Sequence, residues 1–517
     1  MRRTLSIICL FIAAAFLFGS CSEKVPEGMT PVLSVGSAQS ITRYTALLSG
    51  NVAVSNDRTS VKTLRFKYGD TAEMTLSIDC NPAQKNVSAT IEHLSSGTTY
   101  YYCLEAGNQY SSLQSSTQAF TTLPDSKPAI SDVSILGQGP VSAILQFAIK
   151  DDGGKAIAET GFYYQIAGSN EKKSVTVFLA DSIARVRLGG LVANTTYNIW
   201  PFAKNEIGET IGTQLTLKTS DVISLPKAGL LGEIIGEANK YKLATLSVSG
   251  LLNGSDLRFL RDMAGKDVND VTTFGILSEL NLADARIVAG GVSYNSSRYA
   301  AKDTIGYGLF KDCVHLKSVI LPDDAKVIEE NAFSGCTSLS SIQIPASMIK
   351  LTPSIGCTSL TSITVSAANN NFSSINGVLY DKAVTNLLWF PQGKDDASFT
   401  IPSSIKTLGK YAFQNCKLHA IILPSTISTL PYGVFQNSSN LTSVTLGSGT
   451  TLLSEYCFYG CPLQELHVRA TIPPVANDES FAGVNASACT LYVPSGCKSI
   501  YRNSSRYWSL FTNIIEE

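Results

Sequence analysis

The side chains best suited to chemistry in this 517-residue chain are twelve cysteines and four histidines, His93, His315, His419 and His467. No two histidines stand four apart as on a metalloprotease helix, and no Cys-x-x-Cys offers half of a zinc site. The Gly-Lys pairs at Gly154-Lys155, Gly265-Lys266, Gly393-Lys394 and Gly409-Lys410 lack the Ser or Thr that a phosphate-cradling loop needs next. A Gly-x-Ser-x-Gly elbow for a serine hydrolase is absent from the sequence as well. Carboxylate pairs that cleave glycosides meet only in three dimensions, so sequence does not address them directly. The expectation is a non-enzymatic chain with no catalytic residue, no metal and no cofactor.

The cysteines follow a different rule, set by repetition. Phe310, Phe333, Phe435, Phe458 and Phe481 recur, with steps of 23 from Phe310 to Phe333, Phe435 to Phe458 and Phe458 to Phe481, and of 22 from Phe413 to Phe435. Three residues after most of these stands Cys313, Cys336, Cys416, Ser438 or Cys461. A short apolar-alternating segment follows, clearest in Leu339-Ser340-Ser341-Ile342-Gln343-Ile344-Pro345. A period of about 20–29 residues is that of leucine-rich repeats. One turn of such a coil cannot bury its own apolar face and must stack on its neighbour. Cysteine then serves as a small hydrophobe. Cys313, Cys336, Cys357, Cys416, Cys457 and Cys461 are expected as buried free thiols along one seam. For Cys80 with Cys103, and Cys489 with Cys497, a disulfide and two separate thiols both remain open. One unit is irregular: Ile355-Gly356-Cys357 follows Leu351-Thr352-Pro353 with no Phe between.

In each repeat strand the side chains beside the buried Ile, Val and Leu point outward. That places Ser340, Ser341 and Gln343, then Thr361, Ser362 and Thr364, then Thr442, Ser443 and Thr445 on a concave face, a ladder of small hydroxyls. His419 and His467 occupy outward strand positions in other repeats. With few charges or aromatics, this candidate binding face suits an extended protein or glycan held by many modest hydrogen bonds. Upstream, the chain repeats itself once: Ala46-Leu47-Leu48 matches Ala143-Ile144-Leu145, Leu94 through Tyr100 matches Leu191 through Tyr197, and Asn108 matches Asn205, each 97 apart. Alternating segments such as Tyr100, Tyr102, Leu104 and Ala106 predict a small antiparallel sandwich in each copy. Thr219 to Ser224 with Leu225-Pro226 reads as a linker. The Leu-rich stretch beyond it reads as a cap, with a helical turn or two over Leu257 to Met263 and a strand over Leu277 to Leu282.

The first residues have the form of a secretory signal: basic Arg2 and Arg3, apolar Leu5 to Phe18, then small Gly19-Ser20. The run Leu17-Phe18-Gly19-Ser20-Cys21 resembles the bacterial lipoprotein box, which implies acylation of Cys21 and a membrane partner held through the lipid. No other segment has the ~18 apolar residues that span a bilayer. With 40 basic and 41 acidic residues there is no electrostatic footprint for nucleic acid.

Two family resemblances follow from these motifs. The Leu-x-x-x-Thr-x-Tyr run, alternating strand and Asn of both copies resemble fibronectin type III domains. The unit Ala332-Phe333-Ser334-Gly335-Cys336-Thr337-Ser338-Leu339 closely resembles the BspA-like subclass of leucine-rich repeats, and Phe372 through Tyr380 and Leu491 through Trp508 look like that family's insertion and terminal cap. The implied organisation is a signal peptide (1–20), an anchor linker (21–30), two all-β fibronectin type III-like sandwiches (31–124 and 125–220), an N-terminal cap (225–300), and a BspA-like leucine-rich-repeat solenoid with its C-terminal cap (301–517). The resemblance implies an exported outer-membrane lipoprotein of Bacteroidota type, exposed at the cell surface, that adheres to host matrix or another cell-surface protein. The alternative is a glycan-capture lipoprotein of a polysaccharide-uptake system, with exposed aromatics near Trp200 or Trp389. Asp70-Thr71-Ala72, Asp181-Ser182-Ile183 and Asp303-Thr304-Ile305 are similar to O-glycosylation sites of exported Bacteroidota proteins.

Overall fold

The computed structural model describes residues 31–53, 61–108, 112–395, 398–477, 479–504 and 507–517. The signal segment and Cys21 lie outside them. Proximity of the backbone divides the chain into two compact units: residues up to Ala129 with Lys150–Ala158 and Ala203–Thr210, and Ile130–Ile149 with Glu159–Phe202 and Ile211–Glu517.

In the first unit, Val32–Val35, Ala46–Ala53 and Asn86–Ile91 form one antiparallel sheet. A second is centred on Thr63–Gly69 and Thr99–Gly107. Alternation puts Leu48, Val52, Phe66, Tyr102 and Leu104 between the two, all buried. Tyr100 closes a corner of the sandwich: its hydroxyl accepts from Ser95 N at 2.9 Å, while Thr122 Oγ1 donates to Ser95 O at 2.6 Å. The second unit shows the same pair 97 residues on. Tyr197 Oη accepts from Val192 N at 3.0 Å and Thr219 Oγ1 donates to Val192 O at 2.7 Å. Both sandwiches are therefore present as expected. Cys80 and Cys103 are free thiols.

The linker expectation is overturned. Val222–Leu225 is a strand that pairs in parallel with Thr245–Leu252 and bridges Gln138 to Ser224 on its other side. One sheet thus runs without interruption from the second sandwich through the cap into the repeats. The local reason is period-2 burial: Ile223 and Leu225 are buried while Val222 faces solvent, and Pro226 ends the strand by lacking an N–H. Gly250 makes the close approach workable. It sits at φ +88°, and a Cβ there would lie 2.2 Å from the Leu225 carbonyl oxygen. Ser142 Oγ donates to Ile234 O at 2.8 Å, and Arg187 donates to the same oxygen at 2.7 Å.

The cap contains the expected helix, observed as Gly254–Met263 and started by an Asn253/Asp256 capping box. Asp256 is buried and accepts from the backbone N–H groups of Gly229, Leu231 and Asn253, and burial nevertheless raises its pKa. Arg261, fully buried on this helix, donates to the carbonyls of Gly308 (2.8 Å), Leu309 (2.9 Å) and Asp267 (3.0 Å) and pairs with Asp270. It satisfies the open carbonyls of the first repeat turn, where no earlier repeat exists to do so.

The coil stacks parallel strands. Ser318–Ile320, Ser341–Ile344 and Ser362–Val365 continue the long sheet, and Ser398–Thr400, Ala420–Ile422, Ser443–Leu446, Glu465–Val468, Thr490–Val493 and Asn513–Glu516 form a second sheet of six strands. Between them the hairpin Phe372–Ile375/Val378–Asp381 turns at Asn376-Gly377, both at positive φ. Backbone bonds bridge this interruption, including Gly393 N to Leu360 O at 2.7 Å and Phe390 N to Ala412 O at 2.8 Å. Inside the coil the rings stack: Phe310 on Phe333 at 5.7 Å, and Phe390, Phe413, Phe435, Phe458 and Phe481 in series at 5.2–6.0 Å. The series is broken between Phe333 and Phe390, and Ser354, with its turn shortened, takes the missing ring's place.

The thiol seam is present, with a role beyond apolar filling. Cys313, Cys336, Cys357, Cys416, Cys457 and Cys461 are all buried and free, as are Cys489 and Cys497. Cys336, Cys357 and Cys461 Sγ donate to the carbonyls of Phe310 (3.0 Å), Phe333 (3.2 Å) and Phe435 (3.0 Å), each one repeat earlier. Ser438 makes the same bond to Phe413 O at 2.9 Å. Burial pushes the Cys313, Cys357 and Cys461 thiols up to about 12.

Candidate interaction face

Strand pairing sets Ser341 beside Ser362 and Gln343 beside Thr364 on the long sheet, with Ser318 and Ile320 on the strand before. Ser341, Gln343 and Thr364 are exposed and Ser362 is half-buried. Ser340 and Thr361 are exposed as well, but they stand just before their strands and spend their hydroxyl donors on the preceding turn. Ser340 Oγ donates to Lys317 O at 3.1 Å and Thr361 Oγ1 to Ser340 O at 3.2 Å. Thr442 Oγ1 does likewise to His419 O at 3.3 Å. These hydroxyls staple each turn to the one before, so position in the repeat separates structural from displayed hydroxyls.

The remaining candidates lie on the six-stranded sheet, so the proposed ladder is two surfaces separated by the hairpin. Ser443 stands beside Ala420 and Glu465, and Thr445 beside Ile422 and His467. His419, exposed, precedes its strand and falls outside the column that holds His467. The two histidines are not brought together.

His467 is the focus of the second surface. Its ring lies flat on Tyr492, centroids 4.2 Å apart and planes 4° from parallel. Nδ1 is 3.1 Å from the Glu517 carboxylate and Nε2 is 3.7 Å from that of Glu465. Parallel register aligns Ile422, Thr445, His467, Tyr492 and Ile515 across five strands, with Ile422 60% and Ile515 41% exposed. Reading Leu491-Tyr492-Val493 only as a terminal cap hid Tyr492. Its signal was the same apolar-x-apolar alternation, which marks Tyr492 as outward.

Among the described residues no cluster of three His, Cys, Asp or Glu side chains is close enough to hold a metal ion. Nor is any described helix long and apolar enough to cross a membrane. The aromatics singled out for glycan capture differ in exposure, Trp200 being half-buried. Trp389 is buried in the coil, and the Lys172 ammonium covers the Trp200 ring at 4.9 Å and that of Tyr163 at 4.3 Å.

Comparison with known proteins agrees with the repeat geometry. Residues 301–385 and 390–488 match the family described as BspA type Leucine rich repeat region, in 6 copies. No curated protein matches the chain. Among solved structures, the pneumococcal vaccine antigen PcpA is similar at 18% identity and TM-score 0.36, over 55% of this chain and 82% of that one. A leucine rich cell surface protein from Faecalibacterium prausnitzii is similar at 19% identity and TM-score 0.33, over 61% of this chain and 96% of that one. A two-domain fibronectin type III segment of chicken tenascin is similar at 18% identity and TM-score 0.21, over 37% of this chain and 99% of that one. The stacked phenylalanines, the repeating thiol-to-carbonyl bond and the six matched copies together identify residues 301–488 as a leucine-rich-repeat region of the BspA type.

Proposed function

We propose that this chain is a non-enzymatic cell-surface lipoprotein, anchored through Cys21, that mediates protein–protein interaction or adhesion through its repeat region. The observation that carries the reading is the column Ile422, Thr445, His467, Tyr492 and Ile515. Two exposed isoleucines flank an aromatic pair on a rigid sheet, with Glu465 and Glu517 at its margin. Interfaces concentrate their energy in a few tyrosines and comparable anchors ringed by polar groups. The hydroxyl surface of the long sheet adds area and hydrogen-bonding capacity but no anchor of that kind. Parallel strands fix the column in place, so little side-chain entropy is lost when a partner docks.

The test is binding of residues 22–517 to an array of matrix and cell-surface proteins, with Tyr492→Ala and Ile422→Ser variants alongside. A partner whose capture falls at least tenfold in both variants supports the reading. A partner held equally by both variants refutes the placement of the binding surface. Radiolabelled palmitate incorporation, lost in Cys21→Ala, tests the anchor separately.

A further inference from the structure

The second sandwich carries an aromatic pair whose rings face away from its core. Tyr163 on Glu159–Ile166 and Trp200 on Thr196–Asn205 lie on neighbouring strands of one sheet. Alternation sets their direction. Phe162 and Ile199, each one residue earlier, are fully buried, so Tyr163 and Trp200 point outward, and both are half-buried. Phe202 stacks on Tyr163 with centroids 4.5 Å apart and planes at 27°, which leaves the tyrosine's other face open. Strand pairing fixes both backbones, so the rings are positioned in advance of any ligand.

The notch between these rings already holds a cation. Lys172 Nζ lies 4.3 Å from the Tyr163 centroid and 4.9 Å from that of Trp200. Both distances fall inside the ~6 Å over which an ammonium is drawn to a ring face. Lys172 is exposed and stands on the loop that joins Glu159–Ile166 to Lys173–Thr176. The acidic residue of that loop, Glu171, pairs with Lys173 at 3.4 Å. An exposed cation–π contact shifts an equilibrium by only roughly two- to fivefold, so the Lys172 arm is readily displaced.

We propose that this notch binds a phosphocholine group, with the quaternary ammonium between Tyr163 and Trp200 and the phosphate on the displaced Lys172. The seat fits an ammonium, as Lys172 itself demonstrates. A trimethylated ammonium is more weakly hydrated than a primary one and meets both rings with its methyl groups, so it outcompetes the lysine. Displacement leaves the Lys172 charge beside an occupied cation site. An anion joined to the incoming ammonium by a short bridge cancels that repulsion, and phosphocholine has this order of charges. The notch shares no residue with the column proposed for adhesion.

The test is titration of the full chain carrying Cys21→Ala, which removes any acylation, with phosphocholine and with tetramethylammonium, read by saturation transfer to the N-methyl resonance. Phosphocholine is expected to bind about fivefold or more tighter than tetramethylammonium, and both should be lost in Trp200→Ala. In Lys172→Ala the two affinities should converge, with that of tetramethylammonium rising roughly two- to fivefold as its internal competitor is removed. No saturable binding of phosphocholine, binding retained in Trp200→Ala, or a preference for phosphocholine that survives Lys172→Ala overturns the proposal. Lys172→Ala changes an exposed loop side chain, so it decides the matter should Trp200→Ala fail to fold. Two supporting outcomes separate the sources of the group. Sedimentation with phosphatidylcholine but not phosphatidylglycerol vesicles assigns it to a lipid surface, and phosphocholine binding without sedimentation assigns it to a soluble or polymer-borne ester.

Discussion

Replacing Cys461 by serine and, separately, by alanine distinguishes a thiol that merely fills space from one that makes a bond. Cys461 is buried, and its Sγ donates to the Phe435 carbonyl at 3.0 Å, while the Ser438 N–H reaches the same oxygen at 3.1 Å. Alanine removes a hydrogen bond worth about 0.5–1.5 kcal/mol net. It also opens a void the size of one sulfur, which at ~24 cal/mol per Å³ adds roughly 0.5–1 kcal/mol. The expected loss is about 1–2 kcal/mol. Serine keeps the donor and shortens the side chain only slightly, and Ser438 already occupies the equivalent seat, fully buried with its hydroxyl on Phe413 O. Its expected loss is within about 1 kcal/mol. Guanidinium unfolding under reducing conditions, followed by circular dichroism, should rank the midpoints as wild type, serine, alanine at an unchanged slope. If thiol burial were purely hydrophobic, a buried hydroxyl would be the worse replacement. Serine less stable than alanine would therefore refute the carbonyl-capping role.

Burial holds the Cys313, Cys357 and Cys461 thiols up to about 12, against roughly 8.5 when unfolded, so their neutral form is favoured by folding. The stability this confers is complete below pH ~8.5 and is lost as pH rises toward 12. Unfolding midpoints should be flat from pH 6 to 8 and fall above 9, and a thiol reagent at pH 8 should label these three only after unfolding. Arg261→Ala should cost about 1–3 kcal/mol, because Leu309 O loses its guanidinium donor and Asp270 its ion-pair partner, while Gly308 O keeps Asn295 Nδ2 and Asp267 O keeps the Asp270 N–H. An equilibrium unfolding loss below 1 kcal/mol would contradict its capping role. Gly250→Ala should cost about 1–3 kcal/mol through its positive φ, and more through collision with Leu225 O. Hydrogen exchange should then accelerate at Val222–Leu225, and unchanged protection there would count against the pairing.

Periodic features were legible in the sequence because each repeat writes the same packing demand again. The 97-residue offset located both corner tyrosines, and the 22–23-residue steps located the ring stack and the thiol seam, whereas the threonine partners Thr122 and Thr219 were not read from it. Features that occur once were not legible. Arg261 resembles any solvated helix residue until the carbonyls of residues 308 and 309 are brought over it. The Val222–Leu225 strand was hidden by its neighbours Ser220, Pro226 and Lys227, whose turn-forming character outweighed two buried side chains. The hydroxyl ladder was half legible: alternation gives the direction of a side chain, but whether Ser340 or Thr361 spends its donor on the preceding turn depends on a carbonyl 21–23 residues away. The two histidines were grouped by being outward, yet only His467 falls in register with a ring it can lie on.

The uninterrupted sheet through Val222–Leu225 bears on how this protein can be taken apart. Severing the chain at that strand would strip hydrogen-bonding partners from Ser134–Gln138 on one side and Thr245–Leu252 on the other. Each fragment would expose a raw margin able to recruit foreign strands. The second sandwich and the coil are thus a single inheritable block: gene rearrangements that shuffle one without the other would yield sticky products, and so would expression fragments cut between them.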